Sequence, residues 1–249
     1  MKHVVLYFLA LVPLLCHADF KDGGNAYING DYEAAANEFI PLAERGDHRA
    51  MYALGSMYAA GQGVEKNLKK AFELFKEAAQ NGRADAMYKL GVMYEEGVGT
   101  KKSTKKAIRY YQKSAKLGYP LGQYHLGLMY LNGSAVKQNT INAYAWMVVA
   151  AHQFIYEYAG KNLSDDKKQY KNKKYRLILV QQKQKDNLLD KIISHLQNIR
   201  AEISPNDIEK IKQKVIKHSK YRWKHQATKF KNIEITSDIE SLFLPETLQ

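Results

Sequence analysis

Three stretches of this chain superpose when shifted by 36 residues. "LGSMYAAGQGV" at 54–64 returns as "LGVMYEEGVGT" at 90–100 and as "LGLMYLNGSAV" at 126–136. The register extends well beyond them: Ala50, Ala86 and Gly122 correspond, as do Ala71, Ala107 and Ala143, then Ala79, Ala115 and Ala151, and Gly46, Gly82 and Gly118 close each unit. A fixed period of about 20–50 residues marks a supersecondary unit that cannot bury its apolar face alone and must stack on its neighbours. The chain is therefore expected to form a solenoid.

Physical reasoning gives each unit two helices. In "RAMYALGSMYAA" the residues Ala50, Leu54, Met57 and Tyr58 recur at helical spacing. Gly61 then supplies the left-handed residue that ends a helix at low cost. Asn67 is placed to cap a second helix, on which Ala71, Leu74, Phe75, Ala78 and Ala79 form one stripe and Asn81-Gly82 the stop. Gly55, facing Ala71 or Ala79, predicts a close approach of the paired helices, so a larger side chain there overpacks them at a cost of about 1–3 kcal/mol. The paired glycines of "GQGV" follow a helix rather than a strand. They lack the third glycine of a dinucleotide fingerprint and the Gly-Lys-Ser/Thr ending of a phosphate loop, and in the third copy Ala135 replaces the second glycine. They build turns. The fold class that follows is all-α: an α-solenoid of helix-turn-helix repeats of period 36 with a C-terminal helical cap.

"AMYALGSMYAAGQGVEKNLKKAFELFKEAAQNG" at 50–82 resembles the Sel-one-like repeat, a relative of the tetratricopeptide repeat. The resemblance runs over roughly residues 20–155. "AYINGDYEAAANEFIPLAERGD" at 26–47 looks like the shortened first unit of exported bacterial members, "NAYAWMVVAA" at 142–151 like their last helix, and "AEISPNDIEKIKQ" at 201–213 like the helix that closes them. The resemblance implies a right-handed superhelix that binds other proteins, and it supplies no catalytic residue to carry over. Members stapled by disulfides have been linked to β-lactam hydrolysis, a comparison that a chain without a cysteine framework does not support.

The N-terminus reads differently. "MKHVVLYFLALVPLLCHADF" has a basic start, an apolar run from Val4 to Leu15 and small residues before Asp19. That is the layout of a secretory signal peptide cleaved after Ala18. The run is too short to span a bilayer core, which takes about 20 residues, and Leu15 before Cys16 is bulkier than lipoprotein processing prefers. Export through the Sec route predicts a periplasmic or secreted protein with no transmembrane segment in the mature chain. Cys16 is the only cysteine and lies in the removed segment. The mature protein thus holds no disulfide and depends on packing alone.

The expected organisation is a signal peptide at 1–18, a solenoid at 19–159 and a basic helical cap and tail at 160–249. The solenoid divides into a short first unit at 23–47 and repeats at 48–83, 84–119 and 120–155. Residues 160–249 hold 20 Lys/Arg against 11 Asp/Glu and so carry +9 of the net charge of +13. There Leu188, Leu189, Ile192, Ile193, Leu196 and Ile199 form an amphipathic stripe. Ser204-Pro205 starts a second helix, with Asp207 in its first turn and Ile208, Ile211 and Val215 on one face. "KHSKYRWKHQATKFK" at 217–231 interleaves cations with aromatics. An export signal disfavours nucleic acid as its partner and leaves anionic envelope lipid or glycan, contacted by Lys220, Arg222 and Lys224, or a solvated helix end.

Catalytic chemistry finds no footing. Ser103-Thr104-Lys105-Lys106 and Ser134-Ala135-Val136-Lys137 have the Ser-x-x-Lys spacing of penicillin-recognising enzymes, but no Lys-Thr-Gly or Ser-Asp-Asn accompanies them. His218 and His225 share a helix face without a carboxylate or cysteine at ligand spacing. The sequence calls for no enzyme activity, no cofactor and no metal. The positions that differ between copies are those free to serve a partner: Lys89, Glu96, His125 and Asn132 are candidates for a protein-binding groove lined by the first helix of each unit. The function expected is a non-enzymatic scaffold of the cell envelope that holds a partner protein, itself unidentified, on its concave face. The alternative is an envelope factor held on anionic lipid or glycan by its basic C-terminal region.

Overall fold

A computed structural model describes residues 19–162, 188 and 190–226, with side chains placed except at 152, 155–162 and 216–226. The proposed signal segment, the basic run at 165–176, Leu189 and the tail beyond 226 lie outside the described residues. Those residues form helices only: α1 (Phe20–Asn29), α2 (Tyr32–Glu44), α3 (His48–Ala60), α4 (Leu68–Gln80), α5 (Ala84–Glu96), α6 (Thr104–Lys116), α7 (Pro120–Asn132), α8 (Thr140–Asn162), α9 (190–200) and α10 (Pro205–Gln226). Each of the first seven packs on the next along the chain, α5 also touches α7, and α10 lies on α8. The fold is an α-solenoid.

The turns repeat as faithfully as the helices. Gly61, Gly97 and Gly133 end the first helices at φ between 68 and 78°, where only glycine sits without strain. Asn67, Ser103 and Asn139 then cap the second helices, each accepting from the backbone N–H three residues on. Their own N–H groups donate to the carbonyls of Tyr58, Tyr94 and Tyr130 at 2.7–2.9 Å, closing the loop. The Ser103 hydroxyl of the Ser-x-x-Lys match is thus a helix cap, and its Lys106 lies over the Tyr94 ring.

A small-against-large contact holds every helix pair together. A Cβ built on Gly55 would meet Phe75 at 3.0 Å, one on Gly91 would meet Tyr111 at 2.5 Å, and one on Gly127 would meet Met147 at 2.9 Å. Gly23 faces Phe39 in the same way. The first unit keeps the device although its inter-helix loop is short. Gly55 faces the Phe75 ring, not Ala71 or Ala79: those alanines are buried, but the ring is what reaches across.

The stack ends as the amphipathic pattern predicts. Ile192, Leu196, Ile199, Ile203, Ile211 and Val215 share one core with Tyr144, Met147, Val148 and Ala151 of α8. The Ser204 hydroxyl caps α10 by accepting from Asp207 N–H at 3.2 Å, and Lys214 Nζ donates to Asn142 Oδ1 at 2.7 Å. The outward face of α8 is thereby taken out of water.

Candidate interaction face

The first helices α3, α5 and α7 set corresponding residues side by side. Tyr52, Tyr88 and Tyr124 stand one period apart, each large, each mostly buried and each joined to further rings. Tyr52 lies 5.6 Å from Phe75, and the Arg83 guanidinium stands over the Tyr52 ring at 5.0 Å. Tyr88 touches Tyr111, Tyr119 and His125 at 5.2–5.9 Å. Tyr124 touches His125 and His195, the latter on α9. Such arrays of rings at 4.5–7 Å add stabilisation beyond their buried area. Burial pushes the Tyr52 and Tyr88 hydroxyls up to about 12, with nearby carboxylates adding to it.

A polar thread runs through the rings. Tyr111 donates its hydroxyl to Glu95 Oε2 at 2.6 Å, and burial together with that bond holds its pKa far above the usual phenol range. Tyr88 Oη and His125 Nε2 share a hydrogen bond at 3.2 Å. Burial lowers the His125 pKa, against a pull in the other direction from Glu95, so the neutral ring is favoured and its tautomer decides which of the two partners donates.

At the rim of this face an ion pair recurs with its order inverted. Asp47 and Arg49 pair through Nε–Oδ1 at 3.1 Å and a second bond at 2.6 Å. One period later Arg83 and Asp85 pair in the same two-bond geometry. The helix N-terminus keeps a carboxylate either way: Asp47 accepts from the N–H groups of Arg49 and Ala50, and Asp85 from that of Ala86. The third unit has Tyr119 and Leu121 there.

The residues singled out from sequence lie along this face in two settings. Glu96 and Asn132 are exposed at the C-terminal ends of α5 and α7, and Lys89 is half-buried on α5. His125 is built into the ring cluster. Lys220, Arg222 and Lys224 fall on the last turns of α10, outside the residues with described side chains. Sequence reasoning passed over the tyrosines at 52, 88 and 124 although their period was visible, because it searched for positions that vary. Among the described residues, no group of His, Cys, Asp and Glu is placed to hold a metal, and no helix is long and apolar enough to cross a membrane.

With the stacked pairs and their repeating contacts described, the match to a family model decides what they are: it covers residues 48–82, 84–119 and 120–153. The chain carries three Sel1 repeats. Solved Sel1 structures share its fold. A Sel1 repeat protein from Oxalobacter formigenes is 28% identical, with a TM-score of 0.52 over 54% of this chain and 56% of that one. The c5321 protein, a protective antigen of uropathogenic Escherichia coli strains with an SLR fold, is 32% identical, with a TM-score of 0.51 over 55% of this chain and 31% of its own. By sequence, the chain is 40% identical over 60 residues to an exopolysaccharide production negative regulator of Rhizobium leguminosarum bv. viciae, and 38% identical to that of Rhizobium meliloti. Either match spans 24% of this chain and only 22% of the relative. Sel1 repeats generally mediate protein–protein interaction, and their fold is typically a non-enzymatic scaffold.

Proposed function

We propose that this chain is a non-enzymatic scaffold of the bacterial cell envelope, exported through the Sec route, cleaved after Ala18, and holding a partner protein on the face of its first helices. The observation that carries this reading is the ladder of Tyr52, Tyr88 and Tyr124, flanked by positions that differ in every copy: Ala53, Lys89 and His125, then Ala60, Glu96 and Asn132. The buried rings hold the first helices in fixed register, and the variable positions beside them, Glu96 and Asn132 exposed among them, are free to be matched to a partner. The similarity to two regulators of exopolysaccharide production supports a regulatory role exercised through a partner rather than through chemistry.

The test is a photoreactive amino acid placed at exposed position 96 or 132 in intact cells, with a third probe at 224. A discrete protein adduct at 96 or 132 is expected. Adducts of lipid or glycan at 224, with neither 96 nor 132 capturing protein, would overturn the scaffold reading in favour of attachment through the basic C-terminal region. Export is checked separately, by N-terminal sequencing of the mature protein, which should begin at Asp19.

A further inference from the structure

The second helices carry a different surface. Between Glu96 and Glu157 the chain has no acidic residue and eight Lys/Arg. Five of these, Lys105, Lys106, Arg109, Lys113 and Lys116, lie exposed on α6, and among the described residues none of them has a carboxylate partner. Lys106, Arg109, Lys113 and Lys116 follow at intervals of three and four residues, so they share one stripe about 15 Å long at 1.5 Å per residue. With Tyr94, Tyr110 and Gln112 they line an open groove of about 570 Å³.

The tyrosines fix that stripe. Tyr94 and Tyr110 stack with their planes 13° apart and centroids at 5.5 Å. Lys106 Nζ lies 5.0 Å over the Tyr94 ring, and Lys113 Nζ 5.5 Å over the Tyr110 ring. The order cation, ring, ring, cation holds two ammonium groups in place that would otherwise be free to sweep through solvent. Next to them Lys76 of α4 is neutralised by Glu73 at 3.0 Å, so the local excess belongs to α6.

We propose that this groove binds an acidic polysaccharide. Four cations in a row match a chain with regularly spaced carboxylates, and the two tyrosine hydroxyls and the Gln112 amide suit the sugar hydroxyls between them. The other polyanions fit less well. A nucleic acid base would have to displace a lysine or a tyrosine to stack, because each ring already holds a cation and its partner ring. A membrane calls for inserted apolar side chains, and Leu117 is the only large hydrophobic residue exposed among the described residues. An acidic protein segment would look for an apolar anchor pocket, whereas Ala107 and Ile108 of α6 point into the core.

The groove takes only Tyr94 from a first helix, and Tyr94 is not one of the positions proposed for a protein partner, so its test stands whether or not that partner is found. Binding of an oligogalacturonate to the purified mature chain is measured by titration calorimetry at low and physiological salt. Beside it run its methyl-esterified neutral form, polyglutamate, and vesicles of phosphatidylethanolamine and phosphatidylglycerol. Saturable binding of the acidic sugar alone is expected, weakening about fivefold for each α6 charge removed in Lys113→Gln and Arg109→Gln. Lys21→Gln, an exposed cation of α1 outside the groove lining, should leave it unchanged. Equal binding of polyglutamate would mark a surface for acidic protein, equal binding of vesicles a membrane contact, and insensitivity to the α6 variants a different site. Any of these overturns the proposal. Circular dichroism of each variant separates lost binding from lost fold.

Discussion

Replacing Gly91 with alanine asks whether the close approach of helices is what limits this solenoid. The added Cβ would stand 2.5 Å from Tyr111 Cε1 and 2.6 Å from Cδ1, against an ordinary contact range of 3.4–4 Å. Tyr111 is fully buried and tethered at its hydroxyl by Glu95, so the ring cannot retreat by the roughly 1 Å required. Either the pair is strained or the hydrogen bond to Glu95 breaks, a loss near the top of the about 1–3 kcal/mol range for overpacking. Alanine recovers about 1 kcal/mol of helix propensity, leaving a net loss of about 2 kcal/mol. Gly24, in α1, is the control, because nothing lies within 4 Å of a Cβ built there. Gly24→Ala should stabilise by about 0.5–1 kcal/mol. Gly55→Ala should fall between the two, since its nearest contact is 3.0 Å from Phe75, a ring with no hydroxyl to tether it. Urea unfolding followed by circular dichroism gives all three. If Gly91→Ala proves as stable as Gly24→Ala with an unchanged m value, the packing argument is wrong.

Ala135 is the one described non-glycine residue at positive φ, 61°, where earlier units have Gly63 and Gly99. Ala135→Gly should therefore raise stability by about 1 kcal/mol, read as an upward shift in Tm. In the third repeat Gly122 faces Ser114, whose buried hydroxyl donates to the Ala84 carbonyl at 2.7 Å, while one period earlier both positions are alanine, Ala78 and Ala86. Gly122→Ala alone should cost about 1–3 kcal/mol, and Ser114→Ala in the same chain should recover at least 1 kcal/mol of it, measured as a coupling energy in a double-mutant cycle. Asp47 is held down to about 2, first by the Arg49 side chain and then by two backbone N–H groups. A depressed carboxylate stabilises the fold above its unfolded pKa of about 4, and that contribution disappears as pH falls through about 2. Screening at this helix end limits it to about 1 kcal/mol. The stability gap between wild type and Asp47→Asn, taken from urea midpoints, should hold from pH 7 to 4 and close near pH 2.

The helices, their caps and their stops were legible in the sequence because each depends on a local property. Gly61 and Asn67 act on their own turns, and Ser204-Pro205 starts α10 where the motif sits. The terminal cap was legible too, since Ile192, Leu196, Ile211 and Val215 keep to one side of their helices. What the sequence did not reveal was which side chain crosses from one helix to its partner. Spacing places Ala71, Ala79 and Phe75 on one face, but only the length of the ring makes Phe75 the neighbour of Gly55. Phe72 was passed over for the same reason: it is buried, and forms an edge-on pair with Tyr94 of the next unit, whereas Leu74 is half-buried. The α6 groove needs two residues from separate helices, Tyr94 and Tyr110, and that contact is invisible without their stacking.

The inverted pairs Asp47–Arg49 and Arg83–Asp85 bear on how this molecule would meet its partners. Each pair is neutral as a whole and presents to solvent a short dipole, and adjacent units carry theirs in opposite order along the chain. A neutral ion pair has a field that falls off steeply, so beyond the Debye length of about 8 Å the rim exerts almost no field. It cannot draw a partner in; it can only accept or refuse one already touching it. For the anionic ligand proposed above, long-range attraction would come instead from the cations of α6. On the proposed reading, binding at the α6 groove should therefore depend on salt, and contact at the first-helix rim should be nearly indifferent to it.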